Sequence, residues 1–290
     1  MAPNQPPACP GPDPHPAAPR RFTVPNGAVD THAHVIGLPP QWPWIANRAY
    51  TPEEATAEAY LAMLDAVGMT YGVLVQVSVH GTDNSLMESV LRANPQRLRG
   101  VAVTTPSLQD AEYRRLKEAG VTGLRMNLLQ GGGLGLDGLQ DTAALCKEQG
   151  WHLQLLLDAR QLPELAPALS RLPVPLVLDH MANFPAAEGP QHPGFQALVG
   201  LVGDGAWVKL SGAFRLSQLA PDFADVVPLA RALLAVAPDR CLWGSDWPHV
   251  THWGTMPKVG DLLDLVADWA PDEATRHRVL VENPARLYGF

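Results

Sequence analysis

From residue 24 onward the chain alternates short apolar, β-rich runs with longer stretches whose apolar residues recur every three or four positions. The runs cover 27–35, 71–79, 98–105, 121–129, 151–158, 175–180, 206–212 and 240–248. Helical periodicity between them predicts helices near 84–94, 109–119, 137–149, 161–171, 194–202 and 222–236, with two more closing the chain. A further helix is expected to open at Thr51, with that threonine as N-cap, Pro52 at the first helical position and Glu53 and Glu54 in the first turn. Strands that read as nearly continuous apolar runs belong to parallel sheets covered on both faces, and eight of them close a (β/α)8 TIM barrel. A doubly wound open sheet alternates in the same way. However, no G-x-G-x-x-G or Walker loop follows the first run, so the barrel is the expected fold.

Residues 1–23 differ in character. The first twenty hold eight prolines and almost no large apolar side chains, so they are expected to form a disordered proline-rich tail ahead of a single barrel domain over 24–290. Arg20-Arg21 raises the question of an export signal, but no apolar segment follows it, and a cytoplasmic location is expected. Cys9, Cys146 and Cys241 lie far apart with no C-x-x-C spacing, giving neither a disulfide framework nor a thiolate zinc site. The net charge of −8, without a long basic run, argues against nucleic acid and anionic membranes as partners. No apolar run reaches the ~18 residues of a membrane span.

Candidate chemistry sits at the ends of the predicted strands. Run one ends in Asp30-Thr31-His32-Ala33-His34, where residues two apart in a strand project to the same face. Such an imidazole pair suits Zn²⁺ or polarises a carbonyl directly. Run six ends in Leu-Asp-His180 and run eight in Gly-Ser-Asp246-Trp-Pro. In a barrel all strand C-termini meet at one face, so His32, His34, His180 and Asp246 are expected to converge. Arg125 lies inside an apolar strand and requires an anion, either an internal acid such as Asp158 or a substrate carboxylate. Arg215 follows the seventh strand at the mouth and is a second candidate for substrate binding. Ser78 and His80, at the end of run two, and Tyr50, in the long first loop with Trp42, are weaker candidates. His249, His252 and Trp253 suit a rim or lid, and Lys209 a local salt bridge.

DTHAH, the LDH of run six and GSDWP of run eight resemble the amidohydrolase superfamily in its amidohydrolase-2 branch. The stretches VSVHGTDNS, GLRMN, VKLSGAFR and ENPARLYGF resemble the 2-pyrone-4,6-dicarboxylate lactonase group within it. The resemblance implies a hydrolase in which activated water opens the lactone ring of a small anionic substrate. It further implies Asp246 as general base and His32, His34 and His180 holding the carbonyl oxygen. The same four residues would ligate one mononuclear Zn²⁺. The group also includes members without a tightly held metal, so one Zn²⁺ and none both stand as expectations. A bridging Lys or Glu for a second metal is missing from the fourth run. The lactonase pattern has a further Arg in the loop after strand four, where this chain reads Gln130-Gly131-Gly132-Gly133. That departure argues against recognition of a dicarboxylate and points to a monocarboxylate lactone, a sulfolactone or a sugar lactone as substrate. The branch also contains metal-dependent decarboxylases of aromatic acids, the alternative activity.

Overall fold

The computed structural model describes residues 6–105, 109–129 and 138–290. Eight parallel strands form one sheet in sequential order: β1 (Val29–Ala33), β2 (Tyr71–Val75), β3 (Leu98–Ala102), β4 (Val121–Asn127), β5 (His152–Leu156), β6 (Leu176–Leu178), β7 (Trp207–Leu210) and β8 (Cys241–Trp243). Beyond Trp243 the chain runs on beside β1. The Asp246 amide donates to the His32 carbonyl at 2.8 Å and the His34 amide to the Trp247 carbonyl at 2.8 Å. These bonds bring the last strand against the first and all but close the barrel expected from eight runs.

Helices follow the first seven strands: α1 (Ala57–Val67), α2 (Ser85–Ala93), α3 (Asp110–Ala119), α4 (Leu139–Gln149), α5 (Leu162–Leu169), α6 (Pro193–Gly203) and α7 (Val227–Val236). Gly120 stops α3 with φ +103°, a left-handed cap that only glycine adopts without strain. Shorter helical segments from Val259 to Tyr288 complete the chain. Among the described residues, no helix is long and apolar enough to cross a membrane.

Two expectations are corrected. The first helix begins at Ala57, with Thr56 as its cap accepting from the Ala59 amide, not at Thr51. Thr51 and Pro52 instead pair with Ala8 and Cys9, and the Thr51 amide and hydroxyl donate to the carbonyls of Pro7 and Pro6. The proline-rich segment over 6–23 therefore lies ordered against the barrel rather than as a free tail. Cys9 is buried, Trp253 donates its indole N–H to Ala8, and Asp264 accepts the backbone amides of Arg20 and Arg21. Composition understates this segment because, apart from Cys9 and Phe22, its contacts run mostly through backbone hydrogen bonds and ion pairs.

Strand alternation builds the interior in layers. Val29, Val73, Val75, Val101, Val177, Trp207 and Leu242 form an apolar cluster with Tyr288 of the C-terminal helix. Two residues further along the middle strands come Arg125, Gln154, Asp179 and Lys209, all buried. A charged layer thus rests on an apolar floor, beneath the strand ends.

Candidate active site

His32 and His34 stand at the end of β1. Gly244, across on the extension of β8, is needed there, since a Cβ would come within 2.8 Å of the His32 Cβ. His180 follows β6 and opens a left-handed stretch in which His180, Met181, Ala182 and Asn183 all have positive φ. Asp246, His249 and Thr251 after β8 are also left-handed. Such conformations cost ~1–2 kcal/mol per non-glycine residue, and their clustering at two strand ends is typical of functional sites.

The three imidazoles share one arrangement. Each Nδ1 is engaged: that of His34 donates to the Val75 carbonyl at 2.7 Å, and that of His180 meets the Ser211 hydroxyl at 2.8 Å. The Nδ1 of His32 lies 3.2 Å from both the Asp179 carboxylate and the Lys209 ammonium. Each Nε2 approaches Oδ1 of Asp246, at 3.9 Å from His32, 3.8 Å from His34 and 3.8 Å from His180. Burial holds His32 well below its ordinary pKa and lowers His34 and His180 to about 4, so all three rings are neutral at pH 7. Burial pushes the Asp246 carboxyl up, but Arg215 and then the three histidines outweigh it and hold Asp246 ionised, below the usual carboxylate range.

Among the described residues, Nε2 of His32 and Oδ1 of Asp246 are buried without a hydrogen-bond partner. His32, His34 and Asp246 present one ligand atom each within 4.8 Å of one another. Bonds of about 2.0–2.2 Å to a common ion place ligand atoms roughly 3.3–4 Å apart, so these orphaned atoms and neutral imidazoles fit a single divalent metal of zinc's type. Their engaged Nδ1 atoms are the outer contacts that metal-ligating histidines ordinarily make.

Beside this cluster opens a cavity lined by His34, His180, Asp246, Arg125, Arg215 and Ser78 among others. The two arginines differ. Nε of Arg125 donates to Asp179 at 2.9 Å, while its terminal nitrogens have no hydrogen-bond partner among the described residues. Asp158, the internal acid considered for Arg125, pairs with Arg160 instead. Arg215 has a bond on each nitrogen, Nε on Asp246 Oδ2 at 2.6 Å and the terminal nitrogens on the Thr251 hydroxyl and the Val250 carbonyl, so three of its five N–H groups are committed. Tyr50 is fully buried, its hydroxyl 3.4 Å from Ser78 Oγ, and supports that residue rather than covering the mouth. His80 does not line the cavity. Its Nδ1 donates to the Pro43 carbonyl and its Nε2 accepts the Gly37 amide, which pins the first loop. His249 is buried edge-on to Phe214, and Trp253 is half-exposed on the N-terminal segment. The loop at Gln130–Gly133, which bears on a further Arg, lies outside the described residues.

The charged layer below the site was not legible as such. Asp179 Oδ2 accepts from Arg125 and from Gln154 Nε2 at 3.0 Å, and Oδ1 lies 3.3 Å from Lys209 Nζ. Lys209 also donates to the carbonyl of Thr31 and to Gln154 Oε1. Asp30 accepts from Ser245 and Tyr60, tying β1 to the loop after β8. Tracing two-residue alternation from β4 to β7 finds the layer, because Arg125, Gln154, Asp179 and Lys209 each stand two positions beyond Gly123, His152, Val177 and Trp207.

Comparison with known proteins agrees with this architecture. A 4-sulfomuconolactone hydrolase from Rhizobium radiobacter is 39% identical, the alignment covering 98% of this chain and 96% of the relative. A 2-pyrone-4,6-dicarboxylate hydrolase from Comamonas testosteroni is 35% identical over 92% of each. The crystal structure of a probable 2-pyrone-4,6-dicarboxylic acid hydrolase from Acinetobacter baumannii, with citric acid bound, superposes with a TM-score of 0.79 at 29% identity, covering 91% of this chain and 100% of that one. Residues 29–290 match the amidohydrolase family, and the chain belongs to that family.

Proposed function

We propose that this protein hydrolyses the lactone ring of a small substrate bearing a carboxylate or sulfonate. The observation that carries the reading is the shared orientation of three neutral imidazoles and one ionised carboxylate toward a single point, in a cavity that also holds the Arg125 guanidinium, whose terminal nitrogens have no hydrogen-bond partner among the described residues. The relatives named for lactone hydrolysis support the reaction class, and both act on anionic lactones by name.

Charge points to the same substrate class. Lys209 and Arg125 share the single carboxylate of Asp179, whereas Arg215 has Asp246 to itself, so Arg125 is only partly neutralised. An anionic group on the terminal nitrogens of Arg125 supplies the missing partner. The ring carbonyl then faces the imidazoles. Asp246 Oδ1, free of hydrogen bonds, accepts a proton as water attacks the carbonyl carbon. The carbon–oxygen ring bond breaks, the ring oxygen takes the proton back from Asp246, and the product is an open-chain acid.

Arg215 keeps Asp246 ionised and its Oδ1 aimed at the reaction centre. Ser78 lines the cavity, with the buried Tyr50 hydroxyl behind it. His32, His34, His180 and Asp246 would hold one Zn²⁺ or similar ion, which when bound supplies Lewis-acid polarisation of the carbonyl and acidifies water. The test is hydrolysis of 2-pyrone-4,6-dicarboxylate and 4-sulfomuconolactone, followed by loss of ring absorbance, with Asp246→Asn as the control. Turnover of neither by the native enzyme would refute the reading.

A further inference from the structure

The Asp179 carboxylate joins the two functional halves of the site, one oxygen to each. Oδ2 accepts from Arg125 Nε at 2.9 Å, and Oδ1 lies 3.2 Å from Nδ1 of His32. The group is fully buried, and so are its other two partners. Gln154 donates to Oδ2, Lys209 lies against Oδ1, and the Gln154 carbonyl accepts from Lys209, closing a ring of contacts around the carboxylate. Asp179, Gln154 and Lys209 come from three adjacent strand lines, β6, β5 and β7, which fix their spacing through the sheet register. A buried ionised carboxylate held from four sides has one position available.

We propose that Asp179 is a positioning residue that sets the distance from the anion-binding head of Arg125 to the imidazole of His32. It thereby determines which substrates react, by the spacing between their anionic group and their ring carbonyl. This extends the lactone-hydrolase reading and rests on it for the kinetic part. Removing the Asp179 charge frees Arg125 to swing within the cavity and releases the His32 ring, so an anion bound on Arg125 no longer presents its carbonyl to the imidazoles. The effect is a coupled loss in both halves, not a uniform weakening.

The experiment is a double-mutant cycle with Asp179→Asn and Arg125→Met, with 2-pyrone-4,6-dicarboxylate and 4-sulfomuconolactone as probes. Residues that act through one another give non-additive effects. Asp179→Asn should raise KM and lower kcat together. The KM penalty of Arg125→Met should then shrink about tenfold in the Asp179→Asn background, while Ser78→Ala, which does not touch Asp179, stays additive. The preference of the native enzyme between the two probes should narrow as well.

Gln154→Met serves if Asp179→Asn does not fold, since it keeps the carboxylate and removes one of its anchors. It should attenuate the Arg125→Met penalty in the same direction, by about threefold. A second readout needs no substrate: the ¹⁵N resonance of His32 Nδ1, assigned by its loss in His32→Gln. It should move in Asp179→Asn or Gln154→Met and stay in place in Ser78→Ala. Additive kinetics in whichever background folds, or an unmoved His32 signal, would overturn the proposal. If neither probe is turned over by the native enzyme, the lactone reading fails and the nitrogen spectrum alone decides the role of Asp179.

Discussion

Arg215 donates its Nε to Oδ2 of Asp246 at 2.6 Å, while Oδ1 of the same carboxylate has no hydrogen-bond donor. One oxygen is committed to holding the group in place, and the other is free to accept a proton or to ligate an ion. The histidines that surround the free oxygen are neutral, so they do not protonate it.

Asp246→Asn removes the proton acceptor and leaves Arg215 without its anion. Loss of a positioned general base costs about 10²- to 10⁴-fold in turnover. We expect kcat to fall by at least that range with the circular dichroism spectrum unchanged, as measured by steady-state assay on the folded variant. Retained turnover would move the base elsewhere.

The two arginines should separate kinetically. Arg125 offers open terminal nitrogens to the cavity, and a charge-assisted hydrogen bond contributes ~1.5–3 kcal/mol. Arg125→Met should therefore raise KM about 10- to 100-fold, with the larger effect on KM. Arg215 commits its Nε to Asp246 and one N–H of each terminal nitrogen to the loop after β8, so Arg215→Met should act mainly on kcat. Paired Michaelis–Menten curves check this, and a KM effect confined to Arg215→Met would reverse the assignment.

The fold was legible because eight apolar runs separated by helical periodicity have few ways to close, and each of the eight became a strand. Convergence of His32, His34, His180 and Asp246 followed from barrel geometry alone. What escaped the sequence were partners that no spacing encodes. Arg125 binds Asp179, fifty-four residues away, rather than Asp158. His80, placed by loop chemistry among the substrate contacts, spends both ring nitrogens on backbone of the first loop. The attachment of residues 6–23 also escapes composition, because it runs largely through carbonyl oxygens and the Asp264 carboxylate.

That attachment can be measured. Asp264 is buried and accepts the amides of Arg20 and Arg21, so Asp264→Ala leaves two donors without their partner. Stability should fall by about 1–3 kcal/mol, read as a drop of several degrees in Tm, with faster proteolysis within residues 6–23. Arg21→Ala loses a half-exposed pair with Asp268 and a long bond to the Asp264 carbonyl, and should change stability by less than ~1 kcal/mol. Equal effects from the two would argue against a docked segment.

Metal binding has its own readout. Isothermal titration of Zn²⁺ into chelator-treated protein should show one tight site per chain. His34→Ala, which removes a ligand without disturbing Arg215 or Asp179, should weaken binding by at least about tenfold. An unchanged isotherm in that variant would place the ion elsewhere.

The central claim is ring opening by water at the cluster of three histidines and Asp246. Its most direct measurement is acid release in a pH-stat, with carboxylate- and sulfonate-bearing lactones supplied in turn. The account predicts one equivalent of acid per ring opened for at least one of them, abolished in Asp246→Asn. Release of carbon dioxide from an aromatic acid, with no lactone opened by the native enzyme, would contradict it.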